Sequence, residues 1–139
     1  MIVTGILIHE QYGRIPWNQI VRNPTVNLML RAGAGLGDID LQFRRNAQCC
    51  NTRKIPFGVC WQSYAFTPEA AEMEAKFCLE TIEEYELSLP VCLEYNYWSW
   101  QYGKTNRMEM SLENIQLILE AFRKRIEEGG YISGVFINS

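Results

Sequence analysis

The residues able to do chemistry are few and easily placed. The single histidine, His9, stands beside Glu10 directly after an apolar run, and Glu94 closes a second apolar run, Leu89 to Leu93. Brought together, a histidine and a carboxylate can exchange a proton; apart, they are a loop histidine and a hydrogen-bonded strand-end acid. One histidine cannot build a multi-histidine metal site. The five cysteines, Cys49, Cys50, Cys60, Cys78 and Cys92, are odd in number and lack CxxC spacing, so they read as small buried hydrophobes rather than a disulfide framework or a zinc site. Six rings, Tyr64, Tyr95, Tyr97, Trp98, Trp100 and Tyr102, gather around the same stretches. Such rings offer flat apolar faces to pyranose CH groups while their polar edges stay wet, and they serve equally well to plug a core or cover a strand edge. Arg123-Lys124-Arg125, with Glu127 and Glu128 close by, reads as a solvated helix face. The Gly33-Ala34-Gly35-Leu36-Gly37 stretch lacks the spacing of a phosphate-binding loop and reads as a flexible turn between strand and helix.

The elements that must hold these groups follow from patterning. A chain of 139 residues, 47% hydrophobic and 21% charged, fits one globular domain and excludes a disordered or collagen-like chain. A net charge of −3 without a basic stripe argues against nucleic acid as a partner. No run reaches the length of a membrane span and the N-terminus lacks a signal-peptide layout, so the expectation is a soluble protein of unassigned compartment with no membrane partner. Ile2 to Ile8, Val26 to Arg31, Phe57 to Tyr64, Leu89 to Leu93 and Tyr131 to Ile137 read as strands. Ile15 to Val21 reads as a helical turn, and Asp40 to Cys50 as a helix. Thr67-Pro68-Glu69 starts another helix, with Ala71, Ala75, Cys78, Leu79 and Ile82 on its apolar face. Ser111 caps a third helix, with Leu112, Ile115, Leu119, Phe122 and Ile126 facing inward and Gly129-Gly130 ending it. Tyr95 to Arg107 reads as irregular. Alternating strands and helices demand right-handed crossovers and a parallel sheet, and place ligands at the carboxyl ends of the strands: His9 and Glu10, Arg31 to Gly37, Gln62 to Phe66, and Glu94 to Trp100.

This order of segments resembles the glycoside hydrolase family 25 lysozymes, the Chalaropsis-type muramidases. The resemblance is carried by Gly5-Ile6, Gly13, Ile15 and Trp17 near the start, then by Leu30-Arg31-Ala32-Gly33 with Gly35. It continues in Asp40, Phe43 and Asn46, in Ile55-Pro56-Phe57-Gly58-Val59, and in Glu69, Ala70 and Glu74-Ala75. Leu89-Pro90-Val91 precedes the strand that carries catalysis in the family, and Gly130-Tyr131 with Gly134-Val135-Phe136 resembles a later strand. The resemblance covers essentially the whole chain.

Two departures qualify what it implies. The family's barrel has eight strands and this chain stops at Ser139, so the expectation is an opened barrel. Its bare edges would pair with another copy, or the chain is a piece of something longer. The family's fourth strand ends in Asp-x-Glu, with the Glu as general acid; the matching positions here are Glu94 and Asn96, and the family's first-strand Asp corresponds to Leu7. The third-strand Tyr-His-Tyr is Cys60-Trp61-Gln62. Glycosidic cleavage usually needs one carboxylic acid to protonate the leaving oxygen and a second group to stabilise the oxocarbenium-like centre. Asn96 has no such proton. Glu94 is then a longer-armed acid working with the substrate's own acetamido group, a contact to ligand, or a hydrogen-bonded carboxylate without a catalytic task.

The sequence therefore reads as one α/β domain over 1–139, a partial TIM-like (β/α) barrel of about five mostly parallel strands. The resemblance implies a peptidoglycan (N-acetylmuramide) glycan as ligand, no cofactor and no metal, with hydrolysis weak or absent. The alternative is a non-catalytic glycan-binding or assembly module. The site residues expected are Glu94 and Asn96 at the catalytic positions, with Arg31, His9, Gln62, Tyr64, Tyr95 and Trp98 contacting substrate. A homo-oligomer formed through the exposed strand edges is expected.

Overall fold

The computed structural model describes residues 6–9, 13, 15 and 27–136. In chain order the elements are β1 (Ile6–Ile8), β2 (Leu28–Ala34), β3 (Asp38–Ile39), α1 (Phe43–Thr52), β4 (Phe57–Gln62), α2 (Pro68–Ile82), β5 (Val91–Glu94), α3 (Tyr97–Thr105), α4 (Leu112–Glu128) and β6 (Ser133–Phe136). The main sheet runs β1-β2-β4-β5-β6, every neighbour parallel, and β3 folds back antiparallel on β2. The parallel sheet is the one the alternating pattern demands, and its layout fits the partial TIM-like barrel that the family resemblance implies. Among the described residues β1 and β6 each have one strand neighbour.

All six residues of β4 and all four of β5 are buried, as expected for central strands covered on both faces. Strand alternation separates two apolar layers. Leu28, Leu30, Val59, Trp61, Val91 and Leu93 join the large core under the helices; Met29, Cys60 and Cys92 form a smaller cluster on the opposite face. Arg31, Gln62 and Glu94 continue that second face by the same alternation.

The helix starts follow from local chemistry. The Thr67 hydroxyl accepts from Ala70 N at 3.1 Å ahead of Pro68, and Ser111 accepts from Asn114 N at 3.2 Å. On α2, Ala71, Ala75, Cys78 and Ile82 are buried. On α4 the buried stripe is Ile118, Phe122 and Ile126, with Ile115 and Leu119 at its margin. Leu112, expected to face inward, is 86% exposed: it is the first residue of the helix, ahead of the stretch that packs on the core.

Three further expectations are corrected. Strand β2 continues to Ala34 instead of breaking at Gly33, and the glycine stretch is a tight hairpin between β2 and β3 rather than a flexible strand-to-helix turn. A Cβ on Gly33 would lie 2.7 Å from the Trp61 ring and 2.6 Å from Asp38 O, so only glycine lets the hairpin close over the indole, whose Nε1 donates to Gly35 O at 2.9 Å. Gly35 and Gly37 turn the hairpin at positive φ. Finally, the segment expected to be irregular contains α3, a nine-residue helix. Four buried thiols, Cys50, Cys60, Cys78 and Cys92, match the reading of the cysteines as small hydrophobes, and burial pushes the Cys50 thiol up to about 12. The helical turn expected over 15–21 lies outside the described residues except for Ile15, which packs against the core.

Candidate functional site

At the carboxyl ends of β2, β4 and β5 lies a cavity of about 700 Å³. Arg31 comes from β2, Gln62 from β4 and Glu94 from β5, while His9 follows β1. The register of β2 against β4 shifts between Arg31 and Gly33. Such a bulge re-aims the side chains around it and is common beside sites. Arg31 reaches across β4 to Glu94: Nη2 donates to Oε1 at 2.6 Å and Nε to Oε2 at 3.1 Å. The pair is fork-to-fork, Glu94 is fully buried and the Arg31 side chain is 19% exposed. A carboxylate with both oxygens on one guanidinium is held as an acceptor; it can shape the field of the cavity and orient Arg31 toward a ligand.

Asn96 lies two residues on and does a different job. Its Oδ1 accepts from Trp98 N at 3.0 Å and Ser99 N at 3.2 Å, and Ser99 Oγ accepts from Asn96 N at 3.1 Å. This reciprocal box starts α3. The amide Nδ2 faces Glu94 Oε1 at 3.5 Å, the outer limit of a hydrogen bond. Helix α3 carries Tyr97 and Trp98 to the cavity rim, 62% and 63% exposed with centroids 5.4 Å apart. Exposed aromatic faces beside a polar floor suit a sugar ring.

Of the residues expected from sequence, Glu94, Asn96, Arg31, His9, Gln62, Tyr64 and Trp98 all line this cavity. Tyr95 does not: it packs against the core, and its hydroxyl is buried with no hydrogen-bond partner among the described residues. Burial raises that phenol to about 12. Trp100 also packs against the core. Sequence reasoning missed two lining carboxylates, Asp38 and Asp40, which the β2–β3 hairpin delivers. In the sequence Asp40 stands out only within a helix pattern, and the signal that places it, the close approach of Gly33 to Trp61, is a tertiary one.

A second cavity of about 450 Å³ adjoins the first and shares Asp38 and Tyr64 with it. At its margin Glu74 of α2 is 1% exposed; Ser63 Oγ donates to its Oε1 at 2.7 Å and Tyr64 N to its Oε2 at 2.8 Å. Burial among neutral donors pushes Glu74 up to about 7, the two hydrogen bonds opposing the rise.

No protein-family model and no curated protein matches the sequence. Solved structures do. The chain is similar to the modular autolysin LytC of Streptococcus pneumoniae, with a TM-score of 0.79 and 27% identity over 95% of this chain and 31% of that one. That autolysin has also been solved in complex with a synthetic peptidoglycan ligand. A family 25 glycosyl hydrolase from Bacillus anthracis aligns with a TM-score of 0.75 and 15% identity over 96% of this chain and 59% of that one. The catalytic domain of endolysin ply40, from bacteriophage P40 of Listeria monocytogenes, aligns at 0.74 and 14% over 99% and 64%. The chain thus has the fold of the family 25 glycoside hydrolases, and it spans about a third of the autolysin and about three fifths of the other two chains.

Proposed function

We propose that this domain binds a peptidoglycan-type glycan in the cavity over Arg31 and Glu94 and hydrolyses it slowly or not at all. The carrying observation is how the two catalytic-position residues are engaged. The Glu94 oxygens both accept from Arg31, and the Asn96 side chain caps α3, so neither offers a proton to a leaving oxygen. A general acid contributes about 10²–10⁴ in rate, and its loss leaves binding as the dominant property of the site. The exposed Tyr97 and Trp98, Gln62 and the Arg31 guanidinium supply the stacking faces and donors for sugar hydroxyls. The autolysin solved with a peptidoglycan ligand supports this choice of ligand class.

Retention on murein measured beside reducing-sugar release tests the reading. Expected are retention without appreciable release, and weaker retention for Trp98→Ala. Brisk release by the wild type that Glu94→Gln abolishes would overturn it. We further propose that β1 and β6, each with one strand neighbour among the described residues, pair with a second copy. Light scattering checks this, since a monodisperse monomer at micromolar concentration contradicts it.

A further inference from the structure

The second cavity has a composition the glycan reading does not use. Its walls are Leu36, Ala65, Phe66 and Ala70 with the rings of Tyr64 and Tyr102. Tyr102 is the hub of the rings: its centroid lies 5.4 Å from that of Tyr64 at 72°, and 6.0 Å from that of Phe66 at 41°. Two carboxylates, Asp38 and Glu74, complete the lining, and none of the lining residues is basic. Among the described residues no ion pair engages either acid. Lys104, on the same helix as Tyr102, is instead drawn over the Trp100 ring at 5.8 Å. Each Glu74 oxygen accepts one hydrogen bond and keeps a further lone pair.

Three aromatic rings and two acids around an apolar space of about 450 Å³ form a receptor for a cation on an alkyl stem. Ring faces attract the positive charge, the apolar walls take the methylenes, and the carboxylates accept the N–H bonds. A neutral sugar would bring no charge to Asp38 and would leave the apolar walls and rings unused. We propose that this cavity is a subsite for a primary alkyl-ammonium group, the side chain of a lysine-type residue on a peptide carried by the ligand of the neighbouring cavity. Asp38 and Tyr64 line both spaces, so the two cavities adjoin at these side chains, and a ligand that extends past them would enter both. The second half of the proposal rests on the glycan reading; the ammonium site itself does not.

The test titrates the full chain with Nα-acetyl-lysine methylamide and, in parallel, with the norleucine analogue that lacks the amine. Binding is followed through the ring resonances of Tyr64, Phe66 and Tyr102. Expected is saturable binding of the lysine probe, at least about tenfold tighter than that of norleucine, and weakened about three- to tenfold by Asp38→Asn and by Tyr102→Ala. Both positions are exposed, so the variants should keep the wild-type circular dichroism. Equal affinity for the two probes, absence of saturable binding, or indifference of the lysine probe to both substitutions would each overturn the proposal. A peptide-free glycan oligomer titrated with wild type and Trp98→Ala reads the first cavity alone. Failure of the glycan reading therefore shows there, and failure of the ammonium site shows with the lysine probe.

Discussion

Two buried carboxylates sit at the same end of this sheet in opposite electrostatic settings. Glu94 ends β5 with a guanidinium on both oxygens. Glu74, on α2, has among the described residues a hydroxyl and a backbone N–H as donors, both neutral. The first arrangement stores its energy in a charge pair and the second in desolvation, so the two sites should respond to different perturbations. Removing a partner should hurt Glu94 most. Changing pH should act on Glu74, because burial among neutral donors disfavours its charged form and raises it from about 4.5 to about 7.

The largest expected effect comes from breaking the first site. Arg31→Ala leaves a fully buried carboxylate unpaired, which typically costs about 3–5 kcal/mol, whereas replacing both partners by apolar residues, Arg31→Met with Glu94→Met, should recover most of the loss. Urea denaturation of the single and double variants measures this, and a single variant of wild-type stability would mean that the pair is solvated rather than buried.

The second site is tested by proton linkage. The folded state binds the Glu74 proton more tightly than the unfolded chain does. The stability this group contributes is therefore full below pH about 4.5, is lost as pH rises toward 7, and stays lost above it. Integrated over that window the loss is on the order of 3 kcal/mol. It should appear as the pH-dependent part of the stability difference between wild type and Glu74→Gln. A flat difference between pH 4 and pH 8 would contradict the assignment.

The smallest effect separates the amide from the acid it faces. Asn96→Ala deletes the α3 cap and should cost about 1 kcal/mol, while Asn96→Asp keeps an accepting oxygen for Trp98 N and Ser99 N. If the alanine variant melts like wild type, the box at the start of α3 contributes nothing and the role of Asn96 lies elsewhere.

Much of the scaffold was legible without coordinates because its signals are local. Thr67-Pro68-Glu69 and Ser111 announce helix starts through hydroxyl caps, and the apolar runs of β4 and β5 announce strands covered on both faces. Helix α3 was not legible. Its residues are mostly aromatic or polar, its capping box ends in Ser99 rather than an acid, and Gly103 weakens it intrinsically. A Cβ there would press on the Met110 side chain, which would have to shift. The candidate site divides in the same way. Glu94, Asn96, Gln62 and Trp98 could be named from their positions after strands, whereas Asp38 and Asp40 arrive through a hairpin whose existence depends on Trp61.

The sequence by itself determined the alternation of strands and helices, the parallel sheet, and the end of it at which polar groups must collect, since these follow from residue periodicity and caps. Only the tertiary structure decided which charge each acid meets. Arg31 and Glu94 are 63 positions apart and come together across an intervening strand, beside a register shift, and Glu74 is buried with hydrogen bonds from the residues that follow β4. Partnership at such range depends on strand order, register and burial together, and no local pattern encodes their combination.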